Sequence, residues 1–161
     1  MSADGGSQLL LDTYVPYRLS VASNAVSTLI ARAYQDRFGL SIPQWRLVCV
    51  LHEDSSLTQA QIVARTVMDK VTVSRAAQGL LKRGLVSRAD HHADGRSHVL
   101  SLTPEGCRLQ AEVAPLAIAY EAALLDGLAT EEIAVLRRLL IQLQAAAAAL
   151  ASEAGPLLAD S

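Results

Sequence analysis

The chain has 161 residues and a formal net charge of −2, and 51% of its residues are hydrophobic although only 4% are aromatic. This length suits a single domain with a sizeable core, and the predominance of Ala and Leu favours helices. There is no run of about 18 uncharged apolar residues. The polar N-terminus also lacks the regions that define a signal peptide, so we expect a cytoplasmic protein that does not span a membrane.

The mean hydropathy of +0.26 is high for a soluble monomer, which indicates that apolar surface is closed by an oligomer interface. The two cysteines form no CxxC pair and the four histidines show no metal-ligand spacing. We therefore expect no bound metal and no other cofactor. The sequence lacks GxSxG, P-loop and HExxH motifs, and it carries no other catalytic constellation, so we predict that the protein is not an enzyme.

Two helices are predicted before residue 55. Apolar residues recur at three- to four-residue spacing through 14–38, with Pro16 in the first turn and Gly39 at the end. This pattern is typical of an amphipathic helix. Ser41 is expected to cap a second helix, with a glutamine three residues later completing a capping box, and that helix should end near His52.

Residues 57–83 predict two further helices joined by a short turn. Thr58 and Gln61 have the spacing of a capping box for the first, and Asp69 is the expected N-cap of the second. The second helix is expected to turn these residues inward: Val71, Ala76, Leu80 and Leu81. Its opposite face would carry hydrogen-bond donors of the kind that reach phosphates and base edges, namely Lys70, Thr72, Ser74, Arg75 and Gln78.

Gly84 is expected to end that helix, and two short strands follow at 85–88 and 98–102. The dipeptide Asp94-Gly95 between them is a turn signal. A helix pair joined by a few residues is the arrangement that lays its second helix in the major groove of DNA. A basic hairpin after it forms a wing, whose arginine can enter the minor groove.

Beyond the hairpin, Pro104 opens a long helix to about Leu128, and Pro115 in its middle is expected to kink it. Thr130 is the expected cap of the last helix. That helix carries a regular apolar stripe at Ile133, Leu136, Leu140, Leu143, Ala147 and Leu150. Such a stripe packs either within the chain or against a helix of a second copy.

Charge is unevenly distributed along the chain. Residues 65–96 contain seven basic side chains and three acidic ones, a net charge of +4. Because the whole chain carries −2, the rest of it carries −6. The basic residues are Arg65, Lys70, Arg75, Lys82, Arg83, Arg88 and Arg96. This segregation indicates a nucleic-acid-binding face. Lys82 and Arg83 also suit a helix C-terminus, so either a phosphate contact or a helix-dipole role fits them.

The helix pair, the hairpin and the following Leu102-Thr103 and Gly106 resemble the winged helix-turn-helix of the MarR (multiple antibiotic resistance regulator) family. In that family a DxR pair occupies the wing and LTxxG opens the next helix. Here the pair is Asp94 and Arg96, and the resemblance implies that Arg96 reads the minor groove while Asp94 helps to hold the wing. One departure is the turn 66–68, where many relatives have a glycine.

The resemblance implies a mainly α fold with a small β-hairpin wing, flanked by N- and C-terminal dimerisation helices. The expected organisation is a flexible tail at 1–12, one domain at 13–154 and a second flexible tail at 155–161. Within the domain, the winged helix-turn-helix spans 55–103 and the dimerisation helices span 14–38 and 104–154. A homodimer of this kind matches double-stranded DNA with a pseudo-palindromic operator.

The expected DNA-binding residues combine the helix pair and the hairpin: Thr58, Gln59, Lys70, Thr72, Ser74, Arg75, Gln78, Arg88, His92, Asp94 and Arg96. The family resemblance also implies a small-molecule effector, and similarity to one branch of the family suggests a phenolic or aromatic acid or its coenzyme A thioester. The candidate ligand-binding residues lie on the first two helices: Tyr14, Tyr17, Arg18, Trp45, Arg46 and His52. The alternative is that Arg18 and Arg46 pair with acids such as Asp12 or Glu121 and that Trp45 only packs against Leu40.

Three further interpretations stay open at this point. Oxidation of Cys49 would make the protein a thiol-responsive regulator, but no nearby group in the sequence would lower its pKa. A winged helix can also bind protein instead of DNA. His91 and His92 in the hairpin could hold a cation, although a solvated loop that touches phosphate suits them better. The resemblance favours none of these three; it favours a homodimeric transcriptional repressor that its ligand releases from DNA.

Overall fold

The computed structural model describes residues 9–90 and 98–153, which form six helices and one three-stranded antiparallel sheet. The elements are α1 (Val15–Phe38), α2 (Ile42–Asp54), β1 (Ser56–Thr58), α3 (Gln59–Thr66), α4 (Lys70–Lys82), β2 (Val86–Asp90), β3 (His98–Leu102), α5 (Pro104–Leu125) and α6 (Thr130–Glu153). This architecture confirms the predicted mainly α fold with a β-hairpin wing. The predicted Asp94-Gly95 turn lies outside the described residues.

Contacts between backbones divide the chain into two compact units, Met1–Ile118 and Ala119–Ser161. The first unit holds a continuous hydrophobic core, to which α1, α2, α3, α4, the sheet and the first part of α5 all contribute. Its largest fully buried side chains are Leu40, Leu47, Val48, Leu51, Ile62, Val73, Leu80, Leu100 and Val113. The helix pair and the hairpin therefore share one core, which holds them at a constant separation.

The predicted caps of α2, α3 and α4 are confirmed. Ser41 accepts a hydrogen bond from the Gln44 N–H at 3.3 Å and donates its own N–H to the Gln44 side chain at 3.0 Å. Thr58 forms the same reciprocal box with the residue three positions on. Asp69 accepts from the Thr72 N–H at 2.8 Å. Each box satisfies backbone N–H groups that the first helical turn leaves without partners.

The predicted cap of α6 is wrong by one position. Thr130 is the first helical residue, and the Ile133 N–H bonds to the carbonyl of Ala129, which makes Ala129 the N-cap. An alanine has no side-chain acceptor, but Glu132 accepts from the Ala129 N–H at 2.8 Å. The glutamate also places negative charge at the positive end of the helix.

The inner face of α4 differs from the prediction at one residue. Val71 is 59% exposed, whereas Val73 is fully buried together with Ala77 and Leu80. The buried residues follow the i, i+4, i+7 spacing of one helix face, and Val71 lies about 200° around the axis from Val73. Val71 therefore belongs to the outer face of α4.

The sheet contains one strand that was not predicted. β1 pairs antiparallel with β3, and the strand order is β1-β3-β2. Leu57 lies opposite Leu100, and Val86 lies opposite Leu102. With only three residues, β1 has no recognisable alternation, so its identity depends on the partner that supplies its hydrogen bonds.

The turn between α3 and α4 has the backbone conformation expected of a glycine, although it contains a valine. Val67 adopts φ 54° and ψ 29°, in the left-handed region, and its N–H donates to the Val63 carbonyl at 3.0 Å. A β-branched residue rarely occupies this region, because its Cβ approaches the carbonyl oxygen. The side chain is 73% exposed, so the residue gains little from burial in return.

The start of α5 is locked to the end of α4 by backbone contacts. The Thr103 N–H donates to the Leu85 carbonyl at 3.1 Å, and the Thr103 hydroxyl donates to the Gly84 carbonyl at 2.7 Å. The same hydroxyl accepts from the Gly106 N–H at 3.1 Å. A Cβ on Gly106 would stand 2.1 Å from the Leu85 oxygen. This approach gives the LTxxG pattern its physical meaning, since only a glycine fits there.

The second unit is dominated by α6, whose apolar side chains are exposed. Arg137 donates to Glu121 of α5 at 2.7 Å. Seven large apolar residues of α6 are 39–67% exposed: Val135, Leu136, Leu139, Leu140, Ile141, Leu143 and Leu150. By length and composition alone, Thr130–Ser152 could cross a membrane, and none of its apolar window is buried within the chain. A helix covered by a partner subunit has the same composition.

Replacing Gly106 with alanine is expected to lower the free energy of unfolding by about 1–3 kcal/mol, because the added methyl group meets a backbone carbonyl that no rotamer change can move. Urea unfolding followed by circular dichroism measures this change. The matched control is Gly127→Ala, since a Cβ at Gly127 meets no atom within 4 Å. Equal stability of the two variants would contradict the proposed close approach.

Candidate nucleic-acid interface

The outer face of α4 presents polar and apolar groups side by side. Arg75 and Gln78 are exposed, and Val71 and Ser74 complete the same i, i+3, i+4, i+7 row. Lys70 is exposed at the first turn. Within the part of the chain that the structure describes, neither Lys70 nor Arg75 has a hydrogen-bond or ion-pair partner. These side chains are therefore available to an external ligand, and the Val71 methyl groups add an apolar contact that was not predicted.

Two predicted contact residues are engaged in helix caps. The Thr58 hydroxyl lies 3.0 Å from the Gln61 side-chain oxygen, and the Thr72 hydroxyl donates to Asp69 at 2.6 Å. Hydrogen bonds from the side chain and then the backbone of Thr72 hold the pKa of Asp69 below its ordinary value. The cap thus keeps its charge through the neutral range and weakens only as pH falls through that lowered pKa.

The wing strands form a groove with the start of α3. It has a volume of about 460 Å³ and is lined by Thr58, Gln59, Ala60, Arg88, His98 and Leu100. Arg88 is exposed. Three of these residues, Thr58, Gln59 and Arg88, were predicted as DNA contacts, whereas His98 and Leu100 were not. In the structure, His98 Nδ1 lies 2.9 Å from an Asp90 carboxylate oxygen.

Of the six basic residues of the charged segment that the structure describes, Arg65 and Arg83 have structural partners. Arg65 bonds to Glu53 and Asp54, both at 2.8 Å, and the bond and charge of Asp54 contribute most to raising the pKa of Arg65. Arg83 donates to the carbonyls of Phe38 and Gly39, each at 2.9 Å.

Arg83 therefore caps the C-terminus of α1, which is neither of the two roles predicted for it. Its two carbonyl acceptors are among the groups that the last turn of a helix leaves without partners. The +4 charge of this segment overstates the charge available to a ligand. Three of the predicted DNA-binding residues, His92, Asp94 and Arg96, lie outside the described residues.

A second groove lies between α1 and α2. Its volume is about 410 Å³ and its lining residues are Ser23, Val26, Ser27, Ile30, Tyr34, Ile42, Trp45 and Arg46. The rings of Tyr34 and Trp45 meet edge to face, with centroids 5.6 Å apart and an interplanar angle of 62°. Arg46 is exposed. The groove therefore combines aromatic edges, two serine hydroxyl groups and a cationic side chain.

The predicted ligand-binding residues do not all meet in this groove. Trp45 and Arg46 line it. The other four predicted residues are not among its lining residues: Tyr14, Tyr17 and Arg18 lie at the start of α1, and His52 lies near the end of α2. Tyr34, Ser23 and Ser27, which also line the groove, were not predicted from the sequence. Their positions facing α2 follow from the way the two helices pack, for which helix periodicity in either one gives no signal.

The described residues support neither thiol chemistry at Cys49 nor a metal site, and the candidate cation ligands His91 and His92 lie outside them. Burial, with a smaller contribution from Glu53, raises the pKa of Cys49 to about 11, so its thiol is protonated at neutral pH and is a poor nucleophile. Cys107 is exposed on α5. Across residues 9–90 and 98–153, no three His, Cys, Asp or Glu side chains cluster as metal ligands.

The chain is similar to known transcriptional regulators in sequence and in fold. The MarR family model matches residues 38–97. A probable transcriptional regulator from Pseudomonas aeruginosa is 30% identical with a TM-score of 0.76, over 83% of this chain and 99% of its own. A MarR family transcriptional regulator from Silicibacter pomeroyi is 27% identical with a TM-score of 0.73, over 89% and 96%.

BpsR of Bordetella bronchiseptica, whose structure concerns regulation of its DNA binding by 6-hydroxynicotinic acid, is 25% identical with a TM-score of 0.74, over 81% of this chain and 98% of its own. No curated protein sequence matches the chain significantly. The match to the Pseudomonas aeruginosa regulator covers nearly the whole length of that protein, and the family model covers the helix pair and the first strand of the hairpin. The chain therefore belongs to the MarR family, whose members are transcription regulators and not enzymes.

Proposed function

We propose that this protein is a cytoplasmic, homodimeric transcriptional repressor that binds a pseudo-palindromic DNA operator and releases it when a small aromatic acid binds. The observation that carries the proposal is the outer face of α4, where Lys70 and Arg75 are exposed without partners among the described residues. Family membership supports DNA binding, because the family consists of transcription regulators.

The proposed contacts follow from groove geometry. α4 enters the major groove, where Arg75 and Gln78 reach base edges and the methyl groups of Val71 meet a thymine methyl. Lys70 and Arg88 bind backbone phosphates on either side. Arg96 of the DxR pair is proposed to bind in the minor groove, and Asp94 is proposed to help hold the wing. The same exposed positive charge argues against a winged helix that binds only protein.

The homodimer is proposed from unpartnered apolar surface. In α1, Leu19, Val26 and Leu29 are 37–43% exposed, and in α6 the leucine stripe is equally open. Apolar surface of this extent in a regulator is normally closed by a second copy. Two winged helices related by a two-fold axis also match half-sites about 10 bp apart, and they bury more surface than one module can.

The ligand proposal concerns the groove between α1 and α2. A volume of about 410 Å³ suits a single-ring ligand. Arg46 has no ion-pair partner among the described side chains, so it can hold a carboxylate while the edges of Tyr34 and Trp45 contact the ring. The 25% identity to BpsR, whose effector is an aromatic carboxylic acid, supports this ligand class.

Substitution of Arg75 tests the DNA-binding surface. Arg75→Ala is expected to reduce the preference for the operator over random DNA by about 1–3 kcal/mol, because it removes a bidentate base contact. Fluorescence anisotropy with a duplex from upstream of the protein's own gene measures both affinities. The control is Arg108→Ala, which removes the same charge from a side chain of α5 that bonds to Glu105. If both variants discriminate as well as the wild type does, Arg75 makes no base contact.

A charge placed on the α6 stripe tests the dimer. Leu140→Glu is expected to convert the protein to a monomer, because a carboxylate buried at an interface without a partner is strongly unfavourable. Light scattering after gel filtration without detergent gives the mass. Gln142→Glu is the matched control, since it adds the same charge about 200° around the helix. A wild type that is monomeric, or that stays in solution only with detergent, would contradict the homodimer.

Two arginine variants test the ligand groove. Arg46→Ala is expected to abolish the release of DNA by hydroxybenzoates and 6-hydroxynicotinate, because the carboxylate loses its cationic partner. Arg18→Ala, which changes another of the residues predicted from sequence to bind the ligand, is expected to respond normally because Arg18 is not among the lining residues. Titration of the protein–DNA complex with each acid measures the response. A response lost only in Arg18→Ala would move the site to the start of α1.

A further inference from the structure

The base of the β-hairpin carries an acid–histidine pair. Asp90 ends β2, His98 begins β3, and the two residues are directly opposite in the antiparallel register. His98 Nδ1 lies 2.9 Å from Asp90 Oδ1, and the side chains are 38% and 84% exposed. The pair is therefore open to solvent.

The imidazole belongs to the same surface as Arg88. Side chains at alternate positions of a strand share one face of the sheet, so Arg88 and Asp90 lie on the same face, and their register partners Leu100 and His98 lie there too. His98 and Arg88 both line the groove beside the start of α3. β1 and α3 contribute Thr58, Gln59 and Ala60 to it, none of which titrates. Among the described residues, Arg88 is the only other ionisable group in the lining.

We propose that His98 is a DNA-contacting residue whose protonated imidazole binds a backbone phosphate, and that Asp90 is a positioning residue that holds the ring by Nδ1. This inference rests on the proposed DNA-binding function and adds its dependence on pH. A phosphate in the groove would contact Arg88 and His98 together. Both side chains could then donate charge-assisted hydrogen bonds to its oxygens.

The two protonation states of His98 treat a phosphate differently. When Nδ1–H is directed at Asp90, the neutral ring has a lone pair on Nε2. This nitrogen and a phosphate oxygen are both hydrogen-bond acceptors, so they cannot bond to each other. Protonation adds Nε2–H, which donates to the phosphate, and a positive charge. Binding therefore takes up a proton at His98, so affinity is full at low pH and falls as pH rises through the titration of the bound imidazole.

The experiment measures the affinity of the full-length protein for a mixed-sequence 30-bp duplex by anisotropy, at about pH 6 and pH 8 and several salt concentrations. A phosphate contact needs no particular sequence, so the probe does not require a known operator. The wild type is expected to bind about tenfold more tightly at the lower pH. Its salt dependence there should be steeper by about one released counterion per subunit.

Substitutions at His98 separate this contact from other titrating groups. His98→Gln is expected to lose both the pH dependence and the extra counterion, while His98→Lys should keep the tight, steeply salt-dependent binding at both pH values. His52→Gln removes a histidine outside the groove and should behave like the wild type. Asp90→Asn should move the loss of affinity to lower pH, because the imidazolium loses a neighbouring negative charge.

The outcomes distinguish this inference from the function on which it rests. If the wild type binds the duplex and His98→Gln retains the full pH dependence, the proton is taken up elsewhere, for example at His91 or His92, and the role of His98 is refuted. If the wild type binds DNA with no pH dependence, the inference also fails while DNA binding stands. If no duplex is bound at either pH, the proposed function itself is wrong.

Discussion

The contact between the backbones of Leu85 and Gly106 is the constraint on which the winged helix depends. At this point α4 has just ended, β2 is about to begin, and the first turn of α5 passes so closely that a Cβ would stand 2.1 Å from the Leu85 oxygen. Thr103 bonds to the same segment through its N–H and its hydroxyl. Because the Gly106–Leu85 approach and the Thr103 N–H bond involve backbone atoms, side-chain rotation cannot relieve them, and they fix the spacing of α4, the hairpin and α5.

The basic side chains of this region divide according to what lies within their reach. Arg65 is held by two carboxylates of α2, and Arg83 is held by the last carbonyls of α1. Both therefore stabilise the fold, whereas Lys70, Arg75 and Arg88 have no such partners among the described residues. Arg83 also joins the C-terminus of α4 to that of α1. The helix that forms one wall of the proposed ligand groove is thereby hydrogen-bonded to the helix proposed to read DNA.

The features that could be predicted from sequence depend on interactions within a few residues. The boxes at Ser41 and Thr58, the cap at Asp69 and the glycine ends of α1 and α4 all involve groups no more than six residues apart, so their spacing specifies them. Errors arose where helix phase or a distant strand mattered. The phase of α4, which exposes Val71 and buries Val73, is set by the core it packs against, and β1 exists because β3 supplies its hydrogen bonds.

The site divides in the same way. Local pattern was enough to identify α4, its outward Arg75 and the basic wing strand, since an amphipathic helix shows its polar face in its periodicity. Long-range packing was needed to bring His98 to Asp90. It also groups Trp45 and Arg46 with Tyr34 in the groove between α1 and α2. Finally, it gives Arg65 and Arg83 partners within the fold, so they no longer contribute to the charged surface. Those partners are 8 to 45 residues apart along the chain. Residues so distant in sequence meet only after helices and strands have docked, and periodicity within one element carries no information about its neighbour.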